Sequence, residues 1–461
     1  MTPPRKPDSA ATPAVLPRNA LPFNCWPAIA DETGARMLAM QYQLEQTQWW
    51  AADRLRAEQS RQLAALLAHA RDTVPFYRAR LAELDLTGPV DEAAFAALPL
   101  LTRADVQGNF DALLSTRVPA AHGRTRDGET SGSTGQPVRY RATELNALFW
   151  QVFTVRDHLW HRRDLSAKLG ALRGRVQPAD AQGWGAATDS AFITGALTMF
   201  NTNLPMSEQA DWLMRENPAY LITIASNARA LAQYCIEHAL RPAALREVRT
   251  YGEALHPDIR EICRRAWNVP LTDMYSCAEG GYLALQCPEH EHYHVQSESV
   301  LLEVLDARGS ACAPGETGRV VITPLHNFAM PLVRYDLGDY AEVGPPCSCG
   351  RGLPVITRVL GKTRHMLRLP GGGTRFPRFG EARFPAIAPV RQFQVVQKSL
   401  EAIEVHLVVA RALTVQEEEQ LRAHVRENLQ HPFAIAFVYA EAIPRATSGK
   451  YEDFRCEIVA D

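Results

Sequence analysis

Thr130-Ser131-Gly132-Ser133-Thr134-Gly135-Gln136-Pro137 is the stretch of sequence on which the prediction of the fold depends. It carries hydroxyl groups and flexible glycines, so its backbone N–H groups and hydroxyls could surround a chain of phosphates. The stretch lacks the lysine of the pattern G-x-x-x-x-G-K-[ST], which argues against a Walker-type nucleotidase. Taken alone it could equally be a surface turn, so the rest of the chain has to decide between the two interpretations.

Length and composition favour an ordinary soluble protein of two domains. The chain has 461 residues, of which 46% are hydrophobic and 22% charged, with a formal net charge of -2. This balance gives no overall attraction to nucleic acid or to an anionic membrane surface, and we expect neither as a partner. No apolar run approaches the roughly 20 residues of a membrane helix, and the first residues are proline-rich and charged where a signal peptide is apolar. We therefore expect a cytoplasmic location.

The pattern of elements predicts the α/β class. Residues 31–82, 144–161 and 207–240 have helical periodicity, and β-type runs occur at 221–224, 271–275, 300–304 and 320–323. Strands that alternate with helices indicate a large N-terminal α/β domain, here with a helical lead-in. We place this domain at residues 1–361, with 1–27 as a loose lead-in.

The C-terminal part predicts a small, separate α+β domain. Residues 362–389 are rich in Gly, Arg and Pro and are interpreted as hinge and linker, and residues 390–461 as the domain itself. Two strands at 393–396 and 403–409 precede a helix at 414–429 and a strand at 433–439. The helix begins with the capping-box pattern Thr414-x-x-Glu417. The expected order is β-β-α-β.

Four segments that follow the opening stretch decide its interpretation. They are Tyr251-Gly252-Glu253, Asp273-Met274-Tyr275-Ser276-Cys277-Ala278-Glu279, Arg334-Tyr335-Asp336-Leu337-Gly338-Asp339 and Thr447-Ser448-Gly449-Lys450. Together and in this order they resemble the adenylate-forming superfamily of acyl-CoA synthetases, adenylation domains and luciferases. The phenylacetate-CoA ligase-like branch is indicated by Val74-Pro75-Phe76-Tyr77 and Leu98-Pro99-Leu100-Leu101-Thr102, which resemble its helical lead-in.

The resemblance implies a function and a set of roles. It implies activation of a carboxylic acid with ATP and Mg²⁺, with pyrophosphate as the leaving group. The phosphate loop would be Thr130, Ser131, Gly132, Ser133, Thr134 and Gly135. Gly252 and Glu253 would border adenine, Tyr275 would pack on the nucleotide, Asp339 would bind the ribose hydroxyls, Glu279 would reach Mg²⁺ and Lys450 would be the catalytic lysine.

The chemistry suits these residues. Charge builds on phosphoryl oxygens when a carboxylate displaces pyrophosphate, and cations and oriented N–H groups stabilise it. Lys450 offers a flexible ammonium that could reach the carboxylate and the α-phosphate together. A C-terminal lysine is ordinarily only solvated. This one follows Ser-Gly behind a small domain, in a chain with only five lysines.

A second group of residues predicts a structural zinc site. Cys287-Pro288-Glu289-His290-Glu291-His292-Tyr293-His294 and Cys347-Ser348-Cys349 bring thiols and imidazoles together, which suits a soft metal. The resemblance suggests Cys287, His294, Cys347 and Cys349 as ligands, with His290 and His292 as rivals. The alternative is two turns that happen to be rich in Cys and His. Cys277 next to Glu279 could suggest a nucleophile, although a buried filler is the better interpretation.

The hinge and the acid-binding region leave the acceptor and the acid open. The branch usually has Gly-Arg followed by acidic residues, whereas here Gly361-Lys362-Thr363-Arg364-His365 is basic. Lys362 could still touch ribose or phosphate as a point charge. The acceptor could be CoA, another thiol, an amine, or none. The aromatic side chains of residues 149–203 favour an aryl acid slightly. This region should contribute the acid pocket, with Trp150, Trp160, Trp184, Phe192, Met199 and Phe200.

Two rival functions remain from the sequence. An amide ligase would send the adenylate to an amine, and the unusual hinge favours it slightly. A catalytically silent, zinc-stabilised binding protein is opposed by the retention of Glu279, Asp339 and Lys450. Some relatives in the resembled branch pair as dimers, which makes a homodimer an expectation of the resemblance.

Overall fold

The structure is a computed structural model that describes residues 15–130, 137–174, 176–362, 366–377, 379, 383–443, 451 and 453–458. Its α-helices are α1 Glu32–Thr47, α2 Ala52–Thr73, α3 Glu92–Ala96, α4 Arg103–Gly108, α5 Phe110–Leu113, α6 Glu144–Trp160, α7 Ala186–Asp189, α8 Met206–Glu216, α9 Ala225–Glu237, α10 Pro257–Trp267, α11 Phe384–Ile387 and α12 Val415–Leu429. Two short 3-10 helices lie at Pro75–Tyr77 and Ala120–His122. Among the described helices, none combines the length and apolar composition that crossing a membrane requires.

The strands fall into a large sheet, a smaller C-terminal sheet and two hairpins. In chain order they are β1 Thr125–Glu129, β2 Arg139–Thr143, β3 Leu169–Arg173, β4 Ala179–Ala181, β5 Leu197–Asn201, β6 Tyr220–Ile224, β7 Glu247–Tyr251, β8 Leu271–Cys277, β9 Gly281–Gln286, β10 Tyr293–Val295, β11 Val300–Leu305, β12 Thr317–Pro324, β13 Tyr335–Val343, β14 Val355–Lys362, β15 Leu367–Arg368, β16 Thr374–Arg375, β17 Val390–Gln397, β18 Ala402–Val409, β19 Ala434–Tyr439 and β20 Phe454–Cys456.

The large sheet has twelve strands in the order β11-β12-β13-β14-β10-β9-β8-β7-β6-β3-β5-β4. Strands β5, β3, β6, β7 and β8 run parallel, and the other neighbouring strands of the sheet pair antiparallel. The parallel strands are covered on both faces, as the fully buried pattern of β6 shows. One face packs against α6 and the other against α9 and α10. The carboxyl ends of the parallel strands therefore share one edge, where ligands of such folds bind.

The helical lead-in packs on the antiparallel part of the sheet. The α2 leucines at helical spacing, Leu55, Leu63, Leu66 and Leu67, are all buried. Burying one such side chain stabilises the folded state by about 1.5–3 kcal/mol. Tyr77 follows in the first 3-10 helix, and its hydroxyl donates to the Pro331 carbonyl at 3.0 Å. These contacts join the lead-in to the segment before β13.

The corner between α1 and α2 contacts the loop at residues 347–352. The Gly352 N–H donates to the Gln48 carbonyl at 2.9 Å, and Arg351 Nε donates to Gln48 Oε1 at 2.8 Å. A Cβ at Gly352 would lie 1.8 Å from the Trp50 carbonyl oxygen. Glycine therefore permits a close backbone approach between two segments far apart in the sequence.

The C-terminal sheet has the order β19-β18-β17-β20. The predicted helix is α12, and the capping box between Thr414 and Glu417 is present at its N-terminus. The β-β-α-β order is confirmed but incomplete, because β20 adds a fourth strand parallel to β17. With three residues, β20 is too short to show an alternating pattern. The prediction of an α/β protein with a small C-terminal α+β part is confirmed.

Candidate functional site

The predicted nucleotide-binding residues lie at the carboxyl edge of the parallel strands. Tyr251 ends β7 and Cys277 ends β8, two strands that are neighbours in the sheet. Gly252 follows with a φ of +74°, a conformation that glycine adopts without strain. The chain thus turns sharply after β7 and brings Glu253 to the same edge.

Asp339 contacts two other predicted residues, Tyr275 and Lys362. It lies within β13, opposite Lys362 at the end of β14. The buried Tyr275 hydroxyl donates to Asp339 Oδ2 at 2.8 Å, and Lys362 Nζ lies 3.7 Å from Asp339 Oδ1. Burial and the Asp339 charge hold the pKa of Tyr275 well above its usual range, so the hydroxyl remains a donor.

Glu279 lies beside this group, in the turn between β8 and β9. Its side chain is partly buried, and this desolvation raises the pKa of the carboxyl above its usual value. The Lys362 charge acts in the opposite direction and Asp339 in the same one, so the three ionisable groups interact. The two carboxylates offer oxygen ligands of the kind that Mg²⁺ takes, whereas the Lys362 ammonium has no lone pair to donate to a metal.

The neighbouring Cys277 thiol is not prepared for nucleophilic attack. Burial and the Glu279 charge hold the pKa of the thiol well above its usual range. The Gly280 N–H donates to Cys277 Sγ at 3.2 Å. A protonated thiol in this setting agrees with the interpretation of a filler.

The base of the phosphate loop is closed by the β1–β2 hairpin. The Thr130 N–H donates to the Val138 carbonyl and the Val138 N–H donates to Thr130 Oγ1, both at 2.9 Å. Ser131, Gly132, Ser133, Thr134 and Gly135 lie outside the described residues. The structure therefore places the start and the end of the loop.

Lys450 also lies outside the described residues, but the next residue is placed. The Tyr451 N–H donates to Glu253 Oε1 at 3.0 Å. The same Glu253 carboxylate accepts from the Ser226 N–H at 2.7 Å, at the start of α9. His256 Nε2 and Asp453 Oδ2, 3.4 Å apart, form a second contact. The C-terminal part therefore meets the large sheet at the loop after β7.

A cavity of about 230 Å³ adjoins Glu279. Its walls include Phe149, Trp150 and Phe153 of α6, together with Tyr140 and Tyr282. Of the aromatic residues expected in the acid pocket, Trp150 lines this cavity. The others lie elsewhere in the core: Trp160, at the end of α6, belongs to one core cluster with Trp184 and Phe192, against which Met199 packs, and Phe200 stacks on Trp212. Tyr140 and Tyr282 were missed because the sheet register that brings them to α6 cannot be read from local sequence.

The predicted zinc ligands form one cluster. A donor atom from each of Cys287, His294, Cys347 and Cys349 lies within 4.8 Å of the others. Cys287 Sγ and Cys347 Sγ are 3.9 Å apart. A tetrahedral zinc with bonds of about 2.3 Å holds two sulfur ligands about 3.8 Å apart. The spacing and the chemistry of the donors therefore fit zinc.

The three histidines of this region have different surroundings. His294 lies on β10, is fully buried, and has Nε2 3.4 Å from Cys349 Sγ. Burial and the nearby Arg351 charge lower the pKa of His294 to about 3, so the imidazole is neutral as a metal ligand must be. His292 Nε2 lies 3.0 Å from Cys347 Sγ, and His290 Nε2 lies 2.9 Å from Ser348 Oγ.

Comparison with known proteins shows which proteins share this sequence and architecture. Residues 382–454 match a family model described as the CapK C-terminal domain. The chain is 29% identical over 370 residues to phenylacetate-coenzyme A ligase of Thermus thermophilus, covering 75% of this chain and 78% of the relative. It is 24% identical over 431 residues to the Escherichia coli enzyme of the same name, covering 86% and 93%. A 2-hydroxyisobutyryl-CoA ligase solved in its postadenylation state superposes with a TM-score of 0.72 at 17% identity, over 90% of this chain and 92% of that one.

The curated relatives and the superposed CoA ligase support the expected family, the adenylate-forming superfamily in its phenylacetate-CoA ligase-like branch. The expected family is thus confirmed. An amide bond synthetase from Marinactinospora thermotolerans also superposes, with a TM-score of 0.50 at 16% identity over 71% of this chain and 67% of that one.

The structure brings most of the described site predictions to one edge of the sheet. Tyr275, Glu279, Asp339 and Lys362 form one interacting group. Gly252 and Glu253 lie at the end of β7, and Thr130 closes the hairpin loop. The roles implied for each of them stay predictions.

Proposed function

We propose that this protein uses ATP to convert a carboxylic acid to its acyl-adenylate with release of pyrophosphate, and transfers the acyl group to CoA or another thiol with release of AMP. The observation that carries the proposal is the group of Tyr275, Glu279, Asp339 and Lys362 beside a cavity lined by aromatic side chains. The curated relatives named phenylacetate-coenzyme A ligase support this reaction class.

The first half-reaction needs one bond to form and one to break. A carboxylate oxygen of the acid attacks the α-phosphorus of ATP, and the bond from this phosphorus to the bridging oxygen breaks, so that pyrophosphate leaves with the electron pair. Mg²⁺, when bound, neutralises charge on the phosphate oxygens. Glu279 would hold it, and the N–H groups of the loop after Thr130 would hold the phosphates.

The remaining residues bind and orient the nucleotide. Asp339 would accept hydrogen bonds from the ribose hydroxyls while Tyr275 fixes its orientation. Lys362 places a positive charge at the same point. Lys450 would bring an ammonium to the carboxylate and α-phosphate, and the contact of Tyr451 with Glu253 supports this placement.

Two further assignments accompany this function. The cluster of Cys287, His294, Cys347 and Cys349 would hold a structural zinc, since four protein ligands leave no position open for substrate. Reduced thiols in that cluster favour a cytoplasmic location. A homodimer is retained from the resemblance to the branch.

An amine is the alternative acceptor. The basic hinge sequence from Lys362 favours it, although Thr363, Arg364 and His365 lie outside the described residues. The amide bond synthetase among the superposed structures has the same fold. Offering thiol and amine acceptors to a preformed adenylate separates the two reactions.

Acid-dependent exchange of labelled pyrophosphate into ATP tests the proposal. The full chain should catalyse this exchange with at least one member of a broad acid panel and without any thiol. Lys450→Ala should lower the exchange rate by about 100-fold or more, because a transition-state charge contact is lost. Lys398→Ala is the matched control, since Lys398 is exposed and pairs with Glu457. No exchange with any acid, or an unchanged rate in Lys450→Ala, would contradict the respective assignment.

A further inference from the structure

Arg173 is a positively charged residue at the edge of the predicted site, and the proposed reaction assigns it no role. It is the last residue of β3, which pairs in parallel with β5 on one side and β6 on the other. Its side chain is exposed at the carboxyl edge of the sheet. The residue therefore stands where ligands of parallel sheets bind.

The register fixes the face on which Arg173 lies. Ala171 pairs with Ile222, and both belong to the core under α6. Leu172 belongs to the core on the opposite face. Because side chains alternate along a strand, Arg173 shares the α6 face with Ala171. This is the face on which Trp150 and Tyr282 lie.

Two tyrosines connect Arg173 with the cavity beside Glu279. The Arg173 guanidinium carbon lies 5.8 Å from the centre of the Tyr251 ring. Its positive charge also acts on the Tyr282 hydroxyl, where it opposes the effect of burial on the pKa. The Tyr282 ring contacts the Trp150 ring at 4.6 Å between centroids. Trp150 and Tyr282 are in contact, and Tyr251 packs against the core cluster that contains Tyr282 and lies next to Arg173; these three rings are called the aromatic wall below.

The charge of Arg173 is not neutralised within the described part of the chain. No carboxylate of those residues lies within ion-pairing distance of its guanidinium, and its contact is with the face of Tyr251. Arg249 on β7, two strands away from β3, differs, since it is buried and pairs with Asp157 Oδ2 at 2.6 Å. A planar guanidinium with free donors is suited to binding a carboxylate through two parallel hydrogen bonds.

We propose that Arg173 binds a second anionic group on the acid, so that the preferred substrate is a dicarboxylic acid with a planar or aromatic body. This inference rests on the proposed function. One carboxylate would lie near Glu279 for adenylation, the body would pack on the aromatic wall, and the distal carboxylate would pair with Arg173. Arg173 is then a specificity-determining residue and takes no part in the bond changes at phosphorus.

Matched pairs of acids test the proposal on the full chain. The pairs are 4-carboxyphenylacetate with phenylacetate, and terephthalate with benzoate, each measured by ATP–pyrophosphate exchange. The wild-type protein should prefer the diacid of the effective pair. Arg173→Gln should lower kcat/KM for that diacid by about tenfold or more, as expected for a charge-assisted hydrogen bond. The kcat/KM for the monoacid and the KM for ATP should change by less than about twofold.

Conservative and remote variants complete the experiment. Arg173→Lys should restore part of the diacid preference, because the charge returns without the planar fork. Arg36→Gln, an exposed arginine on α1, should behave as wild type. The proposal is overturned by a wild-type preference for monoacids, by unchanged selectivity in Arg173→Gln, or by a rise in the KM for ATP with every acid, which would assign Arg173 to the nucleotide.

Binding without ATP keeps this inference separate from the proposed function. Thermal stabilisation by 4-carboxyphenylacetate alone should be present in wild type and lost in Arg173→Gln. If no acid supports exchange but this difference persists, the adenylation reaction fails and the anion site stands. If exchange occurs and stabilisation is equal in both proteins, the anion site fails and adenylation stands.

Discussion

At the scale of single residues, the Asp339 carboxylate is held in the site by two protein partners. One carboxylate oxygen accepts from Tyr275 and the other faces Lys362. Two protein partners fix the side chain before a nucleotide arrives, so ribose hydroxyls would meet a preoriented acceptor. Preorientation of this kind lowers the entropy cost of binding.

Asp339→Asn should weaken ATP binding more than acid binding. The amide keeps the shape but loses the negative charge, and a hydrogen bond to a charged group contributes about 1.5–3 kcal/mol. We expect the KM for ATP to rise about tenfold, with the KM for the acid within about twofold. Initial rates of exchange at varied ATP and acid measure both. Glu342→Gln, also on β13 but paired with Arg358, is the control, and an equal effect in both variants would remove Asp339 from the ribose site.

Asp273 gives a prediction about pH. It is buried and accepts hydrogen bonds from Thr250 and Tyr293, yet burial raises its pKa to about 6. Because the folded state holds a proton that the unfolded state releases, this group makes stability fall as pH rises from about 4 to about 6. The effect is on the order of 3 kcal/mol and is constant above that window.

Asp273→Asn removes this titration. The difference in Tm between wild type and variant should therefore change between pH 4.5 and 6.5 and stay constant from pH 7 to 8. Melting curves over that range measure it, with the exposed Asp211→Asn on α8 as control. A difference in Tm that is independent of pH would show that Asp273 has an ordinary pKa.

At the scale of elements, the α1–α2 corner and the loop at residues 347–352 stabilise each other. Among the described residues, the corner makes no hydrogen bond to the predicted zinc ligands. It fixes the loop that carries Cys347 and Cys349 through its hydrogen bonds with Arg351 and Gly352. Disturbing the corner should therefore loosen the metal cluster.

Gly352→Ala tests this coupling. A Cβ there would lie 1.8 Å from the Trp50 carbonyl oxygen, so the backbone has to shift. Overpacking of this kind costs about 1–3 kcal/mol, and we expect a lower Tm and faster loss of zinc to a chelator. Gly371→Ala is the matched control because its Cβ would meet nothing within 4 Å. Equal Tm and equal zinc release in the two variants would contradict the coupling.

Local patterns predicted elements well and tertiary positions poorly. The leucine spacing of α2, the capping box of α12 and the apolar runs of β6, β8 and β12 are signals within short windows, and the structure has these elements. Strand β20 and the placement of Arg173 depend on pairing between distant strands. The site motifs were found because their order along the chain is itself a signal. The contact between Tyr451 and Glu253 has no signal in local sequence.

At the scale of the whole molecule, the C-terminal part is held to the large sheet near the predicted site. The Glu253 carboxylate accepts hydrogen bonds from the Ser226 and Tyr451 N–H groups, and so links the start of α9 with the residue after Lys450. The contact places the residue after Lys450 at the loop after β7. Its strength should affect how often Lys450 is in position.

Glu253→Ala should loosen this contact. Both N–H groups lose their acceptor, and we expect the exchange rate to fall about tenfold and protease cleavage near residues 441–453 to become faster. Limited proteolysis followed by mass spectrometry measures the second effect. Glu237→Ala at the end of α9 is the control. Unchanged cleavage would show that other contacts hold the C-terminal part.

The hydrogen bond between Gln48 and Arg351 also has a consequence for synthesis on the ribosome. The two residues are 303 positions apart, so at about 5–20 residues per second the α1–α2 corner emerges roughly 15–60 s before its partner loop. During that interval the Trp49 ring of this corner lacks the Arg351 guanidinium that packs on it. Nascent chains stalled before residue 347 should therefore recruit chaperones, and chains stalled far enough beyond residue 352 should release them.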